Sequence, residues 1–200
     1  MFRGKHFTAI VLAAGKGSRM QSDTPKQYML LCGKEVLYYS LKEFQESPVD
    51  DIILATREED ISYCEKDIVE RYHFAKVSKV IAGGDERYWS VQRGLEAAEG
   101  TDYVLIHDGA RPCINQDMIL RSIQEVILCG ACTVGVPAKD TIKIVDAEHY
   151  GIDTPDRNTL WQVQTPQSFL YKDIVEAYDK MKQNREGVIT DDTMIVEQYL

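Results

Sequence analysis

The chain has 200 residues, 44% of them hydrophobic and 28% charged, with a net charge of −9. That length and balance suit one α/β domain with a sizeable core. They exclude non-specific nucleic-acid binding, which needs an excess of cations on one face, and no apolar run approaches the length of a membrane span.

The polar start, Met1 to His6, is too short for a signal peptide. Phe7 to Ala14 then reads as a near-continuous apolar strand, as in a parallel sheet covered on both faces. It breaks into Gly15-Lys16-Gly17-Ser18-Arg19-Met20, followed by Thr24-Pro25-Lys26-Gln27. Glycines let a backbone approach phosphates closely, and Lys16, Arg19 and Lys26 supply counter-charge. That combination points to a polyphosphate, a nucleotide above all. Two common nucleotide motifs do not fit. Gly15 and Gly17 are too close for a Walker loop, and Met20 stands where a dinucleotide fingerprint has its third glycine. The alternative is a plain strand-to-helix turn.

Leu37, Leu41 and Phe44 mark one face of a helix, and Asp51 to Thr56 reads as a second strand, with no Asp or Glu at its end to hold a ribose. Ile61, Cys64, Ile68 and Tyr72 mark the next helix. Val77 to Ile81 is a third strand, ending in Gly83-Gly84-Asp85-Glu86-Arg87. Ser90 follows one turn on, in a helix outlined by Val91, Leu95 and Ala98. Tyr103 to His107 is a fourth strand, running into Asp108-Gly109-Ala110-Arg111-Pro112. Asn115 is a good N-cap for the following helix and Gly130 a good residue just past its end. Cys132 to Pro137 is a fifth strand, with Ala138-Lys139-Asp140-Thr141 at its tip. Cys129 and Cys132 have Cys-x-x-Cys spacing, but one ends a helix and the other lies in a strand. They read as small buried hydrophobes rather than a metal or redox pair. Free thiols fit a reducing cytoplasm.

After Pro137 the rhythm breaks. Thr141 to Asp146 and Leu160 to Gln164 are strand-like, separated by the polar loop Ala147 to Asn158. Residues 139–163 form either a projecting β-arm or a hairpin packed against the sheet edge. Ile174 to Met181 and Thr193 to Leu200 read as helices, with Asp191-Asp192 as an acidic first turn. Residues 1–200 thus read as one domain. Its fold class is α/β: a doubly wound, mostly parallel Rossmann-like sheet with helices on both faces.

In open parallel sheets ligands bind outside the carboxyl ends of the strands, and four polar clusters fall on that rim. Asp108 there is either a Mg²⁺ ligand beside a phosphate site or a loop cap and partner for Arg111. His107 reads as a core or supporting residue rather than a base. Lys26, stiffened by Pro25, is a phosphate-facing cation or a solvated lysine.

Those clusters, with Pro25-Lys26-Gln27-Tyr28, Asp140-Thr141-Ile142-Lys143, Asp156-Arg157-Asn158-Thr159-Leu160-Trp161 and Gln164-Thr165-Pro166-Gln167, carry a resemblance from Ala9 to the last residue. The sequence resembles the cytidylyltransferase family that activates 2-C-methyl-D-erythritol 4-phosphate in isoprenoid synthesis. The resemblance implies cytidylyl transfer from CTP with release of pyrophosphate, aided by Mg²⁺. It assigns Arg19 and Lys26 to the triphosphate and transition state. Ala13, Ala14, Gly15, Lys16 and Gly17 would wrap phosphates and part of the nucleoside, and Gly84, Asp85 and Ser90 would recognise cytosine. Asp108 would bind nucleotide and metal, with Arg111 beside it. Arg111, Thr141, Arg157 and Thr165 would bind the sugar phosphate. It also implies a homodimer in which the 139–163 arm is exchanged, so that Arg157 completes the partner's site. Ribitol-5-phosphate cytidylyltransferases share the fold and most of these motifs, and the Asp156-Arg157-Asn158 and Leu160-Trp161 stretch is more similar to the methylerythritol enzymes. A pyrophosphorylase acting on another base shares the first loop. The family pattern continues past Leu200 into a further strand and helix with an Asn-Ile-Lys stretch.

Overall fold

The computed structural model describes residues 1–15, 24–183 and 187–200. Among these, in chain order, the strands are β1 (Phe7–Leu12), β2 (Leu30–Leu31), β3 (Lys34–Glu35), β4 (Asp51–Thr56), β5 (Val77–Ala82), β6 (Tyr103–Asp108), β7 (Ala131–Pro137), β8 (Ile144–Val145), β9 (Gly151–Asp153) and β10 (Trp161–Leu170). The helices are α1 (Val36–Glu46), α2 (Ile61–Tyr63, continued as a π-helix over Cys64–Glu70), α3 (Arg87–Ala97), α4 (Gln116–Cys129), α5 (Tyr171–Gln183) and α6 (Asp192–Tyr199).

One sheet runs in the order β5-β4-β1-β6-β10-β7. β5, β4, β1 and β6 are mutually parallel, and β10 is antiparallel to both β6 and β7. The doubly wound α/β class expected from the sequence holds. The strand expected over Leu160 to Gln164 is longer and more central than its pattern indicates. Thr165, Gln167 and Ser168 are buried polar residues, and two of them find tertiary partners that a sequence does not display. Thr165 bonds His107, and Gln167 accepts the Asp192 N–H.

Side chains alternate across each strand, and this sorts the core into two layers. Phe7, Ala9 and Val11 of β1 and Leu105 of β6 pack with Leu37, Leu41 and Phe44 of α1 and with Ile119, Ile123 and Val126 of α4. Ile10, Val104 and Ile106 face the other way, against Val91 and Leu95 of α3, Ile174 and Tyr178 of α5 and Ile195 of α6. Each fully buried Leu, Ile or Phe here is worth about 2 kcal/mol of transfer free energy. The same alternation decides the end of β6. His107 continues the α1 face and lies against Phe44, with ring centroids 5.4 Å apart. Asp108 turns to the α3 face.

Asn115 caps α4 by accepting the Met118 N–H, and Gly130 closes it at φ 78°. All five cysteines are free. Cys129, however, is exposed rather than buried. The core-facing positions of α4 are Ile119, Ser122, Ile123 and Val126, and Cys129 is the last helical residue, where the chain turns into solvent. Residues 139–163 carry the antiparallel β8–β9 hairpin and are almost wholly exposed. The arm joins the sheet only where Trp161–Val163 of β10 pair with Gly135–Pro137 of β7.

Candidate active site

A cleft of about 860 Å³ opens at the carboxyl ends of β1, β4, β5 and β6. Its described lining sets Lys26, Arg57, Arg87, Arg93 and Arg111 among Glu58, Glu59, Asp85, Glu86 and Asp108. Five cations thus face five carboxylates, so the described lining is balanced in a chain whose net charge is −9.

Backbone forms two walls. Ala13, Ala14 and Gly15 leave β1 along one of them. The Ala13 N–H bonds the Ala55 carbonyl at 2.7 Å, and buried Gln27 donates its amide to the carbonyls of Ala13 (2.6 Å) and Gly15 (3.1 Å). The loop base is thereby tied to the helical turn that presents Lys26. Opposite lies the turn after β5. A Cβ on Gly83 would stand 2.6 Å from the Ala14 Cβ and 2.7 Å from the Ser90 Oγ, and one on Gly84 would stand 2.3 Å from the Trp89 Cβ. Glycine is required here for close approach rather than for an unusual φ. The Gly84 N–H donates to Ser90 Oγ at 3.0 Å, and Arg93 donates to the Gly83 carbonyl at 2.6 Å.

Charge concentrates on Asp108. Arg87 donates from Nε to one carboxylate oxygen at 3.1 Å, and Arg111 from Nε to the other at 2.9 Å. Burial alone would raise the Asp108 pKa, but the two guanidiniums hold it below the ordinary value. Arg111 also donates to Gln164. Beneath this pair, His107 is fully buried. Its Nε2 lies 3.3 Å from the Arg111 carbonyl, so it carries the proton; Nδ1 then accepts from Thr165 Oγ1 at 2.9 Å. Thr165 Oγ1 in turn accepts the Asp108 N–H at 3.3 Å. Burial lowers the His107 pKa to about 4, leaving a neutral ring with both nitrogens engaged.

Two charges in the cleft contrast. Arg57 is paired with Glu59 and Asp60. Lys26 is exposed and makes no ion pair among the described residues. No group of three or more His, Cys, Asp or Glu residues is arranged to hold a metal among the described residues.

A family model for 2-C-methyl-D-erythritol 4-phosphate cytidylyltransferase (IspD) matches residues 7–199. The chain belongs to the 2-C-methyl-D-erythritol 4-phosphate cytidylyltransferase family. Among curated proteins of that name, the one from Lachnospira eligens is 54% identical over 194 residues, covering 96% of this chain and 85% of its own length. That from Lachnoclostridium phytofermentans is 53% identical over 192 residues, covering 95% and 82%. Among solved structures, the 4-diphosphocytidyl-2C-methyl-D-erythritol synthase of Anaerococcus prevotii matches with a TM-score of 0.85 at 33% identity, over 98% of this chain and 83% of that one.

Of the residues that the cytidylyltransferase resemblance assigns, Ala13, Ala14, Gly15, Lys26, Gly84, Asp85, Ser90, Asp108 and Arg111 line one cleft. Lys16, Gly17 and Arg19 lie outside the described residues. Thr165 is buried behind the cleft between His107 and Asp108. Thr141 and Arg157 are exposed on the arm and do not line the cleft, and Arg157 donates to the Lys139 carbonyl at 3.0 Å. Sequence reasoning missed Gln27, Arg93 and the acids beyond β4. The ribose search stopped at Thr56, whereas Glu58 and Glu59 line the cleft just past it. The acidic first turn expected at Asp191-Asp192 holds, but the tertiary partners of Asp192 were not legible. Asp191 alone caps α6, accepting the Met194 N–H, while Asp192 is buried against Arg87 and Tyr178.

Proposed function

We propose that this chain transfers the cytidylyl group of CTP to 2-C-methyl-D-erythritol 4-phosphate. An oxygen of the sugar phosphate forms a bond to the α-phosphorus of CTP, the bond from that phosphorus to the β-phosphate bridging oxygen breaks, and pyrophosphate leaves. The observation that carries the reading is a nucleotide-sized cleft in which Lys26 alone of the described cations is uncommitted, within a chain of this family.

The nucleophile's second pKa is about 6, so at pH 7 it is already largely dianionic, and no general base is required. The buried, neutral His107 supports that economy. The obstacle is repulsion between anions, so catalysis rests on positioning and charge neutralisation. Lys26 and Arg19 oppose charge at the α-phosphorus. The Ala13–Gly17 backbone cradles the phosphates, and Gly84, Asp85 and Ser90 receive the base. Arg111, Thr141, Arg157 and Thr165 serve the sugar phosphate. Deprotonated Asp108 fits a hard cation, since its two oxygens keep acceptor capacity beyond the two guanidiniums. Mg²⁺ completes its shell with waters and substrate phosphates, so one or two carboxylates are enough to hold it. When bound, Mg²⁺ would neutralise phosphate charge.

We further propose that residues 1–200 act as one nucleotidyltransferase unit, cytoplasmic and homodimeric through the 139–163 arm. Exposed Ile144, Val145, Tyr150, Ile152 and Trp161 on the arm support burial against a second copy, which would carry Arg157 to the partner's cleft. The free thiols support a reducing compartment. No helix among the described residues is long and apolar enough to cross a membrane.

The test is pyrophosphate release with CTP, UTP, GTP and ATP, each with methylerythritol phosphate and ribitol 5-phosphate. CTP with methylerythritol phosphate should be preferred. Preference for ribitol 5-phosphate or for another base would replace this reading, and nucleotide binding without pyrophosphate release would make the chain a non-catalytic binder.

A further inference from the structure

We propose that Asp192 is a positioning residue for the transfer site: through Arg87 it sets the orientation of the Asp108 carboxylate, a role that rests on the reaction proposed above. Asp192 is fully buried, with 0% exposure, and lies 105 residues from Arg87 in sequence. Three elements seat it. Arg87 of α3 donates to Oδ2 at 2.8 Å, Tyr178 of α5 donates to Oδ1 at 2.6 Å, and Gln167 of β10 accepts its N–H at 2.8 Å. The start of α6 does not need it, because Asp191 already supplies the cap.

Nor does stability explain it. A buried ion pair is weak evidence for stability, since apolar replacements of similar volume are often neutral or better. What the pair fixes is geometry. A guanidinium is a rigid planar fork, and here its Nη1 is held by Asp192 while its Nε reaches Asp108 at 3.1 Å. Arg87 is half-exposed on the cleft lining. Without the charge behind it, Arg87 is free to turn toward incoming phosphates, which leaves Asp108 to Arg111 alone. With that charge in place, a buried residue on α6 determines how a carboxylate at the tip of β6 faces the reacting groups.

Asp192→Asn keeps the shape and an acceptor but removes the charge. We expect kcat for pyrophosphate release to fall on the order of 10-fold, as for partners that orient a ligating group, with KM for CTP little changed. The Asp108→Asn/Asp192→Asn double variant should be no slower than Asp108→Asn alone, because both act through one carboxylate. A folded Asp192→Asn with native kcat, or losses that multiply in the double variant, would overturn the proposal. Should Asp192→Asn fail to fold, Arg87→Lys carries the same test: it must lose kcat, and the loss must not multiply with Asp108→Asn. A readout independent of turnover separates this from the transfer reading. In ¹⁵N-labelled protein the Arg87 Nε–H resonance, identified by its loss in Arg87→Lys, should exchange with solvent on the order of 10-fold faster in Asp192→Asn. If the native chain releases no pyrophosphate, the transfer reading fails while this measurement still decides the coupling. Unchanged exchange refutes the coupling whatever the activity.

Discussion

Acid should destabilise this fold through one histidine. His107 is fully buried against Phe44, with its nitrogens committed to Thr165 and the Arg111 carbonyl. Burial brings its pKa from 6.5 down to about 4. The unfolded chain therefore binds this proton more readily than the folded one, so the contribution is fully present above the unfolded value and is lost as pH falls toward the folded value. Linkage between those two values gives a loss of about 2 kcal/mol from pH 7 to pH 5, and about 3 kcal/mol by pH 4. Two carboxylates nearby behave differently. The Asp108 pKa is lowered, so its loss comes only below the ordinary carboxylate range; burial raises the Asp192 pKa against the pull of Arg87, so protonation there favours the fold as pH falls.

His107→Gln separates these terms, because a glutamine amide can serve both partners without titrating. Urea unfolding of both proteins at pH 7, 6 and 5, with a chelator present, gives the stability of each by linear extrapolation. The variant should be weaker than native at pH 7, from lost ring packing, and should decline less steeply with acid, the gap narrowing by about 2 kcal/mol by pH 5. Parallel declines would show that His107 does not titrate differently on folding, and would refute the buried neutral ring.

Lys26→Ala should lower turnover by ~10²–10³, as for loss of a single electrostatic stabiliser; its unfolding free energy should stay within about 0.5 kcal/mol of native, as for an exposed site. Gly94→Ala should destabilise by about 1–3 kcal/mol despite alanine's better helix propensity. Its Cβ would meet the buried Ile10 Cγ2 at 2.5 Å, and a stabilised variant in urea unfolding would contradict that close packing of α3 on β1. Asn115→Ala should cost about 1 kcal/mol through loss of the α4 cap, measured the same way. Chelation of divalent cations should stop pyrophosphate release, and added Mg²⁺ should restore it; turnover in chelator would remove the metal from the mechanism.

Much of the sheet was legible because its central strands are buried on both faces, so β1 and β6 read as unbroken apolar runs. The helix signals at Leu37, Leu41 and Phe44 were equally plain, since one core layer selects one stripe. The rim was legible for the same reason: polar clusters stand out where apolar strands stop. β10 was only partly legible. Thr165, Gln167 and Ser168 have the composition of a loop, and the partners that allow two of them to be buried are remote in sequence, at His107 and Asp192. The acids Glu58 and Glu59 were passed over because a one-dimensional rule looks at a strand's end, whereas a cleft collects whatever the next turn folds back. Asp192 shows the limit most clearly. Two adjacent aspartates at a helix start satisfy the same local rule, and only tertiary contact divides them into one cap and one buried counter-ion.

The distribution of partners explains why Lys26, among the described cations, is suited to meet new charge. Arg87 and Arg111 are held on Asp108, Arg57 on Glu59 and Asp60, and Arg93 on the carbonyls of the β5 turn. Each of these already commits part of its guanidinium to a standing partner, which weakens its pull on an incoming anion, whereas Lys26 keeps its whole charge available. A lysine is a compact point charge on a flexible stem with no geometric demand on its partner, which suits a phosphorus centre whose charge changes during reaction. Its neighbour Gln27 is bonded to the carbonyls of Ala13 and Gly15. The free cation and the base of the glycine loop are therefore carried on one tied segment. Displacing that segment should weaken phosphate cradling and charge neutralisation together, so a change at Gln27 that spares Lys26 itself should still impair turnover.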